Sequence, residues 1–96
     1  MAERAPTIAA PERLGRLVGA ARARILFALA ESRTTTETAD YLGIAGSTAS
    51  EHLTALVEAD VLTRQREGRE VRYQLNGRGR QLVALMDAQP DDSREP

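Results

Sequence analysis

The stretch IAGSTASEHLTALVEADVLTRQREGREVRYQL, residues 44–75, changes its hydrophobic period from helical to alternating at Asp60, and that change decides the fold. Ile44-Ala-Gly46 reads as a tight turn and Ser47–Ala59 as a helix. At about 100° per residue, placing Leu53 at the core centre brings Ala49, Leu56 and Val57 within about 60° of it. The opposite side carries Thr48, Glu51, Ala55 and Glu58, flanked by Ser47 and Thr54. After Asp60, Leu62, Arg64 and Arg66 alternate, then Val71, Tyr73 and Leu75, so two strands are expected around a two-residue turn at Glu67-Gly68.

Helices are expected on both sides of this stretch. Pro11 suits a first helical position and Leu14, Leu17 and Val18 share a stripe, which predicts a helix from about Pro11 to Val18, stopped by Gly19. An Ala-rich helix follows over Ala20–Glu31, with Ile25, Leu26 and Leu29 inward. Thr34-x-x-Glu37 is a capping box and Gly43 a left-handed stop, bounding a helix over Thr35–Leu42. Asn76 can cap a last helix through about Met86 or Ala88, whose stripe is Leu82, Val83, Leu85 and Met86 and whose first turn is weakened by Gly77 and Gly79. Two helices joined by a short turn and followed directly by a hairpin make a winged helix-turn-helix. The expected fold class is therefore mainly α with a small β-hairpin and about five helices.

Composition narrows the function. The chain has 96 residues, no Cys and one His. That length makes one small domain, over 11–88, and the absence of Cys removes thiol catalysis, disulfides and zinc fingers together. No apolar run approaches the roughly 20 residues of a membrane span, and the N-terminus lacks a secretion signal's order, so no membrane partner is expected and the cytoplasm is the expected compartment. The first ten residues and the Pro-containing acidic tail, 89–96, are expected to be disordered. All 13 basic residues are Arg and 16 residues are Ala, which fits a GC-rich bacterial coding sequence.

The formal net charge of −1 argues against nucleic acid until it is divided by position. Val61–Arg80 holds six Arg against two acids, a local +4; Glu31–Asp60 holds one Arg against six acids, a local −5; the stretch from Asp87 to Pro96 carries −3. Arg64, Arg66, Arg69 and Arg72 surround the tight turn, where guanidinium groups can straddle phosphates or enter a minor groove. The same charges also suit a soluble hairpin whose edge must deter aggregation.

Ser47-Thr-Ala-Ser50-Glu-His52-Leu53, Glu58-Ala-Asp-Val-Leu62, Arg66-Glu-Gly-Arg69 and Tyr73-x-Leu75, in this order and spacing, resemble the ArsR family of small dimeric bacterial repressors over about residues 12 to 88. The resemblance implies a homodimer that binds a pseudo-palindromic double-stranded operator and releases it when an effector binds. It implies helix 47–59 in the major groove and the 61–75 hairpin as wing. At the start of the fourth helix two positions depart from the family: Ala45 replaces a usual Ser, a lost cap worth about 1 kcal/mol, and Gly46 replaces a long polar residue. Thr38 stands where the family usually has Leu, which should thin the packing between the third and fourth helices.

The candidate DNA-contacting residues are Ser47, Thr48, Ser50, Glu51, His52, Thr54, Arg64, Arg66 and Arg69. Ser47 and Thr48 sit in a first helical turn, where hydroxyls and free amides meet phosphate, and Glu51 can accept from a cytosine amino group. An ordinary solvated helix face is the alternative for these positions. His52 lies at the edge of the apolar stripe, open to packing, backbone contact or DNA. Leu14, Leu17, Val18, Leu82, Val83, Leu85 and Met86 can pair across a two-fold axis or complete one monomer core. No cofactor, metal site or catalytic group is expected: the family's thiolate or His-carboxylate sensors have no counterpart, and no nucleophile has a partnered base. An unknown small-molecule or protein effector stays open. The competing reading is a winged-helix protein–protein interaction module without specific DNA binding, which the acidic Glu31–Asp60 segment and the Ala45 and Gly46 departures favour.

Overall fold

In the computed structural model, which describes residues 10–87, the order is α1 (Ala10–Val18), α2 (Ala20–Ala28), β1 (Arg33–Thr34), α3 (Thr35–Leu42), α4 (Gly46–Glu58), β2 (Leu62–Glu67), β3 (Glu70–Leu75) and α5 (Gly77–Asp87). Five helices surround a three-stranded antiparallel sheet of order β1-β3-β2. This is the winged helix-turn-helix expected from the sequence. The expected disordered arm and acidic tail lie outside the described residues, apart from Ala10, which opens α1. No helix among the described residues is long and apolar enough to cross a membrane.

Backbone chemistry explains the boundaries. Gly19, at φ 100°, breaks α1 from α2, a conformation only glycine adopts without strain. The capping box at α3 is complete: Glu37 N donates to Thr34 Oγ1 at 3.0 Å and Thr34 N to Glu37 Oε1 at 3.1 Å. At its other end Gly43 is left-handed, and Ile44 N reaches back to Ala39 O at 3.0 Å in a Schellman closure. Helix α4 closes the same way, with Val61 N on Leu56 O and Asp60 N on Val57 O, but the left-handed position is taken by Asp60, at φ 64°.

Four local expectations need correction. Helix α2 ends at Ala28 rather than Glu31, because the chain turns there to join the sheet: Leu29 O accepts from Leu75 N at 2.9 Å and the Arg33 side chain caps Ala28 O at 2.8 Å. Strand β1 was not expected at all; Arg33 pairs with Tyr73 and Thr34 with Arg72. The hairpin turn is Gly68-Arg69, one residue later than Glu67-Gly68, since Glu67 pairs with Glu70 and Gly68 takes φ 63°, as the first position of a type II′ turn requires. Helix α4 begins at Gly46 rather than Ser47.

The core joins all layers. Leu14 of α1, Ile25 and Leu26 of α2 with Leu29 just beyond its end, Leu53 and Leu56 of α4, and Leu62, Tyr73 and Leu75 of the sheet form one buried cluster. Thr38 is fully buried, and its Oγ1 donates to Thr34 O at 2.8 Å, so burial leaves no unpaired hydroxyl. Helix α5 is set against the sheet by Asn76. Its Oδ1 caps Gly79 N at 2.8 Å, while its Nδ2 donates to Asp60 O at 2.9 Å.

Candidate nucleic-acid interface

Helix α4 turns Ala49, Leu53 and Leu56 into the core, and this fixes what remains outside. Ser47, Thr48, Ser50, Glu51, Thr54 and Glu58 are exposed, whereas His52 is half-buried. Ala55, placed on the outward side by the helical wheel, is also half-buried. The helix starts with no side-chain cap: Ala45 holds the extended N-cap conformation, at φ −67° and ψ 146°, without a group to fill it. The first-turn amides are therefore left for solvent or an anion. Ala45→Ser should satisfy one of them and stabilise the chain by about 1 kcal/mol. In a domain of this size that raises the melting temperature by about 4–8 °C, and an unchanged or lower melting point overturns the prediction.

The wing places its arginines by register. Cross-strand partners share a face, so the pairing of Arg64 with Tyr73 and of Arg66 with Val71 puts both arginines on the face that carries Leu62, Tyr73 and Leu75 inward. Near the body, Arg64 lines a groove of about 400 Å³ with Ser50, Thr54, Val57 and Glu58 of α4 and Tyr73. The structure thus brings Ser50, Thr54 and Arg64 together. Arg66 and Arg69 sit farther out, at the turn, where Arg66 Nη1 makes only a long contact to Gly68 O, 3.4 Å.

Among the described residues, Arg64, Arg66 and Arg69 form no ion pair. The other three arginines of the +4 segment are occupied. Arg78 faces Asp60 at 3.6 Å, Arg80 Nη1 donates to Leu75 O at 3.0 Å, and Arg72 is held by Ser32, Glu37 and Glu70. Arg72, counted among the arginines around the turn, thus belongs to the wing's attachment. Position around the turn had already singled out Arg64, Arg66 and Arg69, but spacing did not disclose what occupies Arg72, because two of its three partners, Glu37 and Ser32, lie 35 and 40 residues away.

The terminal helices pack on each other within the chain, and Arg13 donates to Met86 O. Leu14 is fully enclosed by the monomer's own core. Val18, Leu82, Val83 and Met86 are partly buried against that core, while Leu17 and Leu85 stay 62% and 65% exposed. Among the described residues no group of three or more His, Asp or Glu side chains is gathered to hold a metal ion.

Residues 20–65 match a family model described as a helix-turn-helix domain. No curated protein matches the chain. Solved structures with the same fold include MepR, a transcription regulator of the Staphylococcus aureus multidrug efflux pump MepA, at 22% identity and TM-score 0.72, covering 80% of this chain and 62% of that one. The transcriptional regulator BldR from Sulfolobus solfataricus aligns at 23% identity and TM-score 0.69, covering 81% of this chain and 60% of that one. The chain thus spans less than two thirds of the length of these two regulators. The structure of a possible transcriptional regulator for arsenical resistance aligns at 26% identity and TM-score 0.60 over 83% of both chains.

Proposed function

We propose that the protein is a sequence-specific DNA-binding transcriptional regulator of the ArsR type, a homodimeric repressor that lays α4 in the major groove and the β2–β3 wing along the adjacent backbone. The observation that carries this reading is the shared side of the molecule: the exposed polar face of α4 and the unpaired Arg64 meet in one groove, with Arg66 and Arg69 farther along the same hairpin. Positive charge without an internal partner, next to a polar helix of 13 residues, suits a phosphate backbone beside a base edge. Leu17 and Leu85, exposed on two helices that pack together, supply apolar area for a second copy. A two-fold dimer of this kind reads half-sites about one helical turn apart.

The test is titration of the full chain against DNA from upstream of its own gene, at two salt concentrations, beside a non-operator control of equal length. Two or three phosphates neutralised per subunit give a slope of log affinity against log salt near −4 to −5. No specific binding at low salt favours the interaction module, whose support is the acidic Glu51 and Glu58 on the same exposed helix face.

Glu51 repels phosphate, so its place on this face has a sequence-reading use. It accepts from a cytosine amino group. Glu51→Ala should change base preference at one operator position by about tenfold and leave the salt slope unchanged. A panel of singly substituted operators measures it, and uniform affinity across the panel overturns the assignment.

A further inference from the structure

We infer that Arg72 is a positioning residue that fixes the wing relative to the helix-turn-helix, acting through the start of α3 rather than on DNA. The inference rests on the function proposed above for its DNA consequence, but its geometry stands apart from it. Its guanidinium makes a four-way junction. Nε donates to Ser32 Oγ at 2.9 Å, Nη2 to Ser32 O and to Glu37 Oε1, both at 3.0 Å, and Nη1 to Glu70 Oε1 at 3.2 Å. These partners come from the loop before β1, from α3 and from β3 itself.

The position of this junction gives it leverage. Strand β1 supplies only two rungs, and the Thr34–Arg72 rung is the last at which the hairpin is paired to the body. Beyond it two more rungs, Arg66–Val71 and Glu67–Glu70, carry the tip as a bare two-stranded ribbon, which twists easily. Arg72 therefore stands at the root of the overhang. Glu37 Oε1, which it holds, also accepts from Thr34 N in the α3 capping box. One carboxylate oxygen thus ties the wing to the first helix of the helix-turn-helix. A fork of planar donors meets several acceptors in fixed directions, which an ammonium group cannot reproduce.

Charge points the same way. Glu67 and Glu70 face each other across the strands, an unfavourable pair next to the turn, and Arg72 offsets it through Glu70. Glu37 and Glu70 also line one groove, with Thr34–Thr36 and Val71. Without the guanidinium between them, two carboxylates repel across the hinge between wing and body.

The chain has no cysteine of its own, so the brace can be tested by distance. Nitroxide labels at Asp40→Cys on α3 and Glu67→Cys on the wing, in a chain diluted about tenfold into unlabelled protein so that one pair per dimer dominates, report the wing angle by pulsed electron spin resonance. A single narrow distribution with Arg72 present and a broad one in Arg72→Gln is the expected result. A narrow distribution in the variant overturns the inference. The second arm is a double-mutant cycle on DNA. Arg66→Ala with Arg69→Ala should cost about a hundredfold in affinity beside Arg72, and less than about threefold in the Arg72→Gln background, where the tip has already lost its place. Equal costs in both backgrounds overturn the inference. Arg72→Lys keeps the charge and loses the fork; restored affinity in that variant identifies a phosphate contact and overturns it as well. Should Arg72→Gln fold poorly, Arg72→Lys carries both arms. Broadening in a chain that binds no DNA supports the brace and overturns the proposed function.

Discussion

Gly79→Ala lowers the melting temperature by about 8–16 °C, the expected result of about 2 kcal/mol lost in a domain of this length. Two effects of opposite sign compete at this position. Alanine in a helix is worth about 0.5–1 kcal/mol more than glycine, so propensity alone predicts a gain. The tertiary contact reverses it. A Cβ on Gly79 would overlap the carbonyl oxygen of Val61 and meet Leu75 Cδ2 at 3.0 Å and Val61 C at 3.1 Å. The oxygen cannot move away freely, because it accepts from Asn76 N at 3.1 Å. Asn76 in turn caps Gly79 and holds Asp60, so a displaced α5 start disturbs the left-handed end of α4 as well. Gly77→Ala is the matched control. Its Cβ meets nothing within 4 Å, so only the favourable propensity remains. Thermal denaturation of both variants decides the matter: a Gly79→Ala protein as stable as Gly77→Ala overturns the close approach.

The second large effect is on binding. Arg66→Ala with Arg69→Ala removes two unpaired cations per subunit, four in the proposed dimer, and should weaken operator binding by about a hundredfold or more near physiological salt. The salt slope should become shallower by about 3 to 4 units, since each lost phosphate contact removes about 0.9. Discrimination between operator and control should change little, because these contacts position the protein without reading bases. The melting temperature should stay within a few degrees, as neither side chain has an ion pair to lose. Anisotropy titrations at three or more salt concentrations measure all of this. An unchanged slope removes the wing tip from the interface.

What the sequence disclosed and what it withheld divide along the range of the interactions. The capping box at Thr34 and Glu37, the stop at Gly43 and the break at Gly19 depend on residues within five positions of each other, and each is where local chemistry puts it. The apolar stripe of α4 is likewise a local property, and Leu53 sits at its fully buried centre. Strand β1 is two residues long, with no alternation to detect, and exists only because Tyr73 and Arg72 lie opposite it. Its formation also shortened α2, whose Ala-rich composition favours continuing to Glu31. Gly79 had a local reading, as a weak helix start, and a tertiary one, as the point where α5 crosses the Val61 carbonyl. At the candidate site, the arginines were countable but their partners were not. Position around the turn singled out Arg64, Arg66 and Arg69, but the distant groups that occupy Arg72 and Arg78, namely Ser32, Glu37 and Asp60, are brought near only by the fold.

The two rungs of β1 also govern how the molecule folds. A two-stranded hairpin is marginal by itself in water, and here its third strand lies about 40 residues upstream, on the far side of α3 and α4. Closing that pairing requires both helices to be in place, so the wing gains its stability only when the helix-turn-helix has formed. The wing and the helix-turn-helix are therefore expected to open and close as one cooperative unit, with amides of the wing and of α3 exchanging with solvent at a common free energy in a hydrogen-exchange measurement.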